Sequence, residues 1–240
     1  MQIIEAVILF TALTSIIIVS FSQAASFAIY QATAFETKYA VGSMIQLGHG
    51  AQSIADGSEG TADVQFTYRY GVFTYLNGTA VTVELITQSQ TTTVYTNTQY
   101  GRFEYITPYT MYGSTPVQDK GSELTPFVTK PEDAVAVYHY SADGRTHAVV
   151  QPRPVVTWHM NSDGTIDIRI FIVELIREQP LLTRQGPVRL LYSTTIYGEP
   201  PALTGPVTIR VTFAGKNRET TVGGAGATVR VYLKIVQVTS

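Results

Sequence analysis

The sequence predicts an α+β protein: a long N-terminal apolar α-helix followed by an antiparallel, immunoglobulin-like β-sandwich. Two observations carry this expectation. Residues 6–35 contain no charged side chain. After residue 60 the chain turns to runs rich in Thr, Val, Ile and Tyr, broken by Gly, Asn and Asp. That is the composition of pleated strands and the turns between them.

The helix comes first. Glu5 is the only charge before Glu36. Thirty helical residues span about 45 Å, and Ile3 through Phe21 alone matches the roughly 20 apolar residues that cross a bilayer core. The first glycine is Gly42 and the first proline Pro108, so nothing breaks the helix early. Apolar residues recur at Phe27, Ala34, Phe35, Val41, Ile45 and Leu47 in a helical rhythm. Gly48-His49-Gly50 and the polar run at 56–60 are stop signals. The helix is therefore expected from about residue 2 to about residue 50, and the chain divides into a hydrophobic helix (1–52) and a β-rich surface domain (60–240).

The strands follow. Residues 64–68 alternate. Residues 72–76 and 81–85 flank Asn77-Gly78, the strongest short signal for a hairpin. Residues 134–140 and 146–150 flank Asp143-Gly144, and 155–160 and 165–175 flank Ser162-Asp163-Gly164. Residues 188–197, 207–213 and 228–238 complete about ten strands with turns at short intervals, a sandwich pattern. The stretch 107–131, with four prolines, reads as one long surface loop.

Composition narrows the function. Of 240 residues 45% are apolar, so the chain is not disordered. Charged residues are only 14%, against about 25% in ordinary soluble domains. So little charge predicts a surface covered by other subunits or by sugar. The net charge of −2 gives no basic field for nucleic acid. The absence of cysteine excludes disulfides, zinc–thiolate sites and cysteine nucleophiles.

Candidate chemistry is sparse. His139 and His147 flank one predicted turn, but neither they nor His49 and His159 have the spacing of a ligand set. Asn161, Asp163, Thr165 and Asp167 place oxygens at alternate positions, as a calcium loop does; a hairpin turn accounts for the same residues. Gly223-Gly224-Ala225-Gly226 precedes a predicted strand, where a phosphate cradle needs a helix. No catalytic signature frames the serines and carboxylates. The expectation is a protein without catalysis, cofactor or metal. Asn77-Gly78-Thr79 is the one Asn-x-Thr sequon, which makes Asn77 the candidate N-glycosylation site. Thr91 to Thr96 suits either O-linked sugar or a strand.

Four readings of the first segment stand. A signal peptide has a cleavage context in Ser22-Gln23-Ala24 but lacks the basic start. A lone membrane anchor leaves Glu5 unexplained. A buried helix of this length needs an unusually large core. The fourth reading is assembly. Met1-Gln2-Ile3-Ile4-Glu5 and the uncharged run after it resemble the type IV pilin superfamily, and within it the archaeal pilins and archaellins. The pattern Pro152-Arg153-Pro154-Val155-Val156 with Asp163-Gly164-Thr165-Ile166-Asp167 is diffusely similar to the β domain of some archaeal pilins.

The resemblance implies a mature chain starting at Met1 and held in the cytoplasmic membrane before assembly. A prepilin peptidase and a pilus-assembly machinery act on it. The product is an extracellular homopolymer of many identical subunits, for adhesion or alternatively for motility; a membrane-anchored binding domain is the other alternative. The implied assembly residues are Met1, Ile3, Ile4, Glu5, Val7, Ile8, Leu9, Phe10, Leu13, Ile16, Ile17, Ile18, Phe21 and Phe27. A free α-amine at Met1 has an ordinary pKa near 7.7–8.0. Burying it or Glu5 alone costs several kcal/mol, part of which a close pair offsets. A Glu5 carboxylate meeting a neighbour's Met1 amine would set axial register, while the apolar faces supply the affinity.

Overall fold

The computed structural model describes residues 2–56, 61–67, 69–120, 125–177, 185–198, 203–224 and 226–239. Met1, the polar stop at 57–60, Tyr68 and Ala225 lie outside these residues. One helix, α1 (Gln2–Asp56), precedes all the strands. They are β1 (Thr61–Thr67), β2 (Val72–Ile86), β3 (Thr91–Thr107), β4 (Val117–Lys120), β5 (Val135–Ala142), β6 (Arg145–Pro152) and β7 (Val155–Met160). They continue with β8 (Thr165–Arg177), β9 (Gln185–Gly198), β10 (Leu203–Thr204), β11 (Val207–Phe213), β12 (Lys216–Val222) and β13 (Gly226–Thr239). The α+β class expected from the sequence is therefore the class observed.

Among the described residues the strands form two sheets, curled like half-barrels. One runs β1-β9-β13-β8-β7 with β10 on β13; the other runs β12-β11-β2-β3-β6-β5-β4. Pairing between these strands is antiparallel with one departure: β13 lies parallel to β8 along its length, from Gly226 opposite Thr165 to Val238 opposite Arg177. The sheets face each other through alternate residues. Val81, Val83 and Leu85 of β2 and Ile209 and Val211 of β11 join Ile166, Ile168 and Ile170 of β8 and Val229 of β13 in one buried cluster.

The helix fills the remaining opening. Met44, Leu47, Ala51 and Ile54 are fully buried with Phe73, Phe103, Val135, Val150, Leu190 and Val238. Phe73 and Phe103 stack there with centroids 5.3 Å apart. The C-terminal half of α1 is thus part of the β domain's core.

Three expectations need correction. The helix does not stop at Gly48-His49-Gly50 but runs to Asp56. Its apolar stripe continues through Ala51 and Ile54, and Gly50 is where it touches the sheet: a Cβ there would lie 2.8 Å from Ala62 Cβ. Asn77-Gly78 is not a hairpin turn. β2 passes straight through it, and the seventeen-residue β3 pairs with both halves. The register jumps from Leu76–Arg102 to Thr79–Tyr100, so the dipeptide bulges, with Gly78 at φ 106°. The turn lies at Thr87–Gln90, closed by a 2.9 Å bond from Thr87 N–H to the Gln90 carbonyl. The stretch 107–131 is not one loop, since it contains β4 and a bridge from Val128 to Val155.

Candidate functional site

The helix has two different halves. From Ile3 to Gln31 every side chain is exposed; burial begins at Thr33. The exposed half carries the bulky residues: Ile3 is 81% accessible, Phe10 73% and Phe21 77%. Ile8, Leu9 and Phe10 are consecutive, as are Ile16, Ile17 and Ile18. At 3.6 residues per turn such runs put apolar groups on every side, and a helix apolar all round is one that is surrounded in use.

Three hydroxyls on this half bond back into the helix. Thr11 Oγ1 donates to the Val7 carbonyl, Thr14 Oγ1 to Phe10 and Ser15 Oγ to Thr11, each at 2.8 Å. A hydroxyl bonded to the carbonyl four residues back demands no water. The segment is long and apolar enough to cross a membrane.

The expected assembly residues Ile3, Ile4, Val7, Ile8, Leu9, Phe10, Leu13, Ile16, Ile17, Ile18, Phe21 and Phe27 are all among the exposed ones. Glu5 stands with them, exposed, and has no hydrogen bond or ion pair among the described residues. Met1 lies outside those residues, so the amine–carboxylate pair is not placed.

A clasp fixes the junction between the halves. The Glu36 carboxylate accepts backbone N–H bonds from Arg69 (3.0 Å), Tyr70 (2.9 Å) and Gly71 (2.9 Å), and the Tyr105 hydroxyl also donates to it. Burial pushes this carboxyl up, but Tyr105 and the three amides outweigh it and hold it below its ordinary value. Gly71 is required here, since any Cβ would strike the Tyr105 ring. Further along, Gln52 Nε2 donates to the Pro131 carbonyl at 2.8 Å and Gln52 Oε1 accepts from Val135 N–H at 3.1 Å. Ser43 Oγ donates to the Gln65 carbonyl at 3.2 Å. Sequence reading did not find this clasp. Its one signal was that Glu36 is the first charge after the uncharged run.

The remaining candidates separate. Asn77 is exposed on the β2 bulge. His139 and His147 sit one register step apart on β5 and β6, so their rings lie on opposite faces of the sheet. Each meets its own carboxylate: His139 Nδ1 lies 2.7 Å from Asp119, and His147 Nδ1 2.6 Å from Glu104. The 161–167 segment is a hairpin turn. Asp163 accepts from Thr165 N–H and Oγ1 at 2.9 and 2.6 Å, and Asp167 pairs with Arg169 and Arg230. Of the glycine stretch, Gly223 and Gly224 precede β13 and Gly226 is its first residue.

A small cleft of about 160 Å³ on the outer face of the second sheet is lined by Arg102, Tyr138, Gln151, Arg153 and Lys216. Arg153 is fully buried, with Nη2 donating to the Asp133 carbonyl at 2.7 Å. Burial pushes the Arg153 guanidinium down, with Asp133 opposing. The hydroxyl of Tyr138 is pushed up to about 12 by burial. No family model, no curated protein and no solved structure matches the chain.

Proposed function

We propose that the chain is the structural subunit of an extracellular, type IV pilus-like filament of the archaeal kind, polymerising through residues 3–31 and carrying the β domain on the outside as an adhesion surface. It has no catalytic role. The observation that carries this reading is the projecting half of α1, apolar on every side and uncovered. Burying one large side chain contributes about 1.5–3 kcal/mol, and a dozen such groups give tens of kcal/mol before ordering costs. A bundle of identical helices covers all sides at once. Glu5, the lone charge on this surface, then takes its counter-charge from a neighbouring copy. Before assembly the same segment lies in the cytoplasmic membrane, and Asn77 on its exposed bulge carries N-linked sugar.

Electron microscopy of the purified full-length chain and of cell surfaces tests the proposal. Uniform fibres are expected from the wild type, with Glu5→Ala impairing assembly while the β-domain spectrum is unchanged. A chain that stays monomeric in detergent and membranes, with no fibres under any condition, would overturn the filament and leave a membrane-anchored binding domain.

A further inference from the structure

The small cleft on the outer face of the second sheet gathers three cations. Arg102 of β3, Arg153 just beyond β6 and Lys216 at the start of β12 line it, and among the described residues no carboxylate does. Elsewhere on the surface arginine is matched to carboxylate. Arg169 and Arg230 share Asp167, Arg189 meets Asp63, and Arg210 meets Glu84 and Glu219. The whole chain has only 16 Lys and Arg, so three converging on one cleft is a local departure.

The sheet builds this arrangement. β3, β6 and β5 are neighbours. Phe103, Val150 and Val137 belong to the inner core, so the adjoining Arg102, Gln151 and Tyr138 fall on the outer face. Lys216 arrives by a tight turn in which Ala214 and Gly215 have φ of 50° and 76°. Ala214 N–H donates to the Ala80 carbonyl at 3.1 Å, which pins the turn beside the β2 bulge. Bulges and non-glycine residues at positive φ gather at functional sites.

The cleft is rich in donors. Arg102 Nε is buried and has no hydrogen-bond partner among the described residues. The Tyr138 hydroxyl, pushed up to about 12, keeps its proton at neutral pH. Two carboxylates stand nearby. Glu104 lies 3.7 Å from Arg102 Nη2, but His147 Nδ1 is already 2.6 Å from it; Asp133 acts on Arg153. Three cations against two carboxylates leave an excess of positive charge, screened less in a partly enclosed site than on open surface. The volume, about 160 Å³, is well under the roughly 300 Å³ at which drug-sized pockets begin. It admits one small group.

We infer that this cleft binds a compact oxyanion, the carboxylate or sulfate group of a small acidic molecule such as an acidic sugar. Guanidinium groups hold such oxyanions through charge-assisted N–H bonds, and Arg102 Nε gains the acceptor it lacks. Phe213 adds an apolar wall. The site goes beyond the filament reading and stands without it, since every group belongs to the β domain of one copy.

Isothermal titration calorimetry on the full-length chain in neutral detergent tests it. The probes are sodium glucuronate, sodium sulfate and uncharged glucose at fixed ionic strength. Saturable binding of an anion, one per chain, is expected, with none of glucose. Glucuronate binding at least as tightly as sulfate identifies the acidic sugar as the source of the group; weaker binding identifies the free inorganic anion. Arg102→Gln should weaken binding at least about tenfold, as loss of a charge-assisted bond does. Lys216→Glu, at an exposed position, should weaken it about fivefold or more, and it stays informative should Arg102→Gln fail to fold. No saturable binding of either anion, equal binding of glucose, or full affinity retained in Lys216→Glu would each overturn the site.

Discussion

The Tyr105 hydroxyl of β3 donates to the Glu36 carboxylate of α1, where the helix stops being exposed and starts to be core. The same carboxylate accepts the backbone amides of Arg69, Tyr70 and Gly71 ahead of β2. One side chain thereby ties helix, loop and sheet together.

Glu36→Gln is expected to destabilise the protein by about 1.5–3 kcal/mol, the range for hydrogen bonds to a charged group, and toward the lower end because the site is only half-buried. The pH dependence follows from the depressed carboxyl. Its stabilisation is fully present above the ordinary value of 4.5 and is lost as pH falls through the lower folded value. Acid unfolding monitored by circular dichroism should show the wild type losing stability below about pH 4.5, with a smaller change in Glu36→Gln across that window. Parallel acid curves for the two would show that the clasp does not hold a charge.

Gly101 packs where a Cβ would strike the Tyr75 ring. Tyr75 in turn donates its hydroxyl to the Leu175 carbonyl of the opposite sheet at 2.9 Å. Gly101→Ala should push Tyr75 aside and break this cross-sheet bond, for about 1–3 kcal/mol of overpacking. Denaturant melting of Gly101→Ala and of the double variant with Tyr75→Phe checks it. Sub-additive losses are expected if both act on one contact, and full additivity would show that they do not.

Tyr100 is a second rivet. It is completely buried and donates to the Val173 carbonyl at 2.6 Å. Tyr100→Phe keeps the ring but leaves that carbonyl unpaired, an expected cost of about 1–3 kcal/mol. Burial holds the Tyr100 hydroxyl well above its ordinary value, with the Tyr95 and Glu174 charges adding to it. It should therefore remain protonated in ultraviolet titration until the protein unfolds in base. A tyrosine signal that titrates at pH 10 and disappears in Tyr100→Phe would contradict this burial.

The class of the fold was legible because its two halves are written in different alphabets. An uncharged run cannot be mistaken for a strand-and-turn pattern, and Asp143-Gly144 does close β5 onto β6, with φ of 52° and 75°. The misreadings share a cause. Asn77-Gly78 has hairpin chemistry, but β3 is long enough to pair with both flanks, so tertiary pairing decided what local propensity could not. Gly48 and Gly50 look like a stop until Ala62 and Leu190 are seen against Gly50. That residues 6–35 are uncharged and largely apolar was readable from residue type alone. The Glu36 clasp was not, because its partners lie 33 to 69 residues away.

The division of α1 makes a prediction about truncation. Residues 3–29 are absent from the buried clusters, whereas Met44, Leu47 and Ile54 belong to one of them. Removing 2–29 should therefore give a soluble monomer with a melting midpoint close to that of the full-length chain in detergent. Removing 2–56 takes away three fully buried large side chains, each worth about 1.5–3 kcal/mol, and opens a cavity between the sheets whose lining then faces water. That total approaches the 5–15 kcal/mol by which ordinary domains are stable, so the shorter chain should fail to fold. Size-exclusion chromatography and thermal melting separate the cases. A cooperative, full-midpoint transition in the chain lacking 2–56 would mean that the helix only leans on the β domain, and that α1 is an attached anchor whose docked half does no structural work.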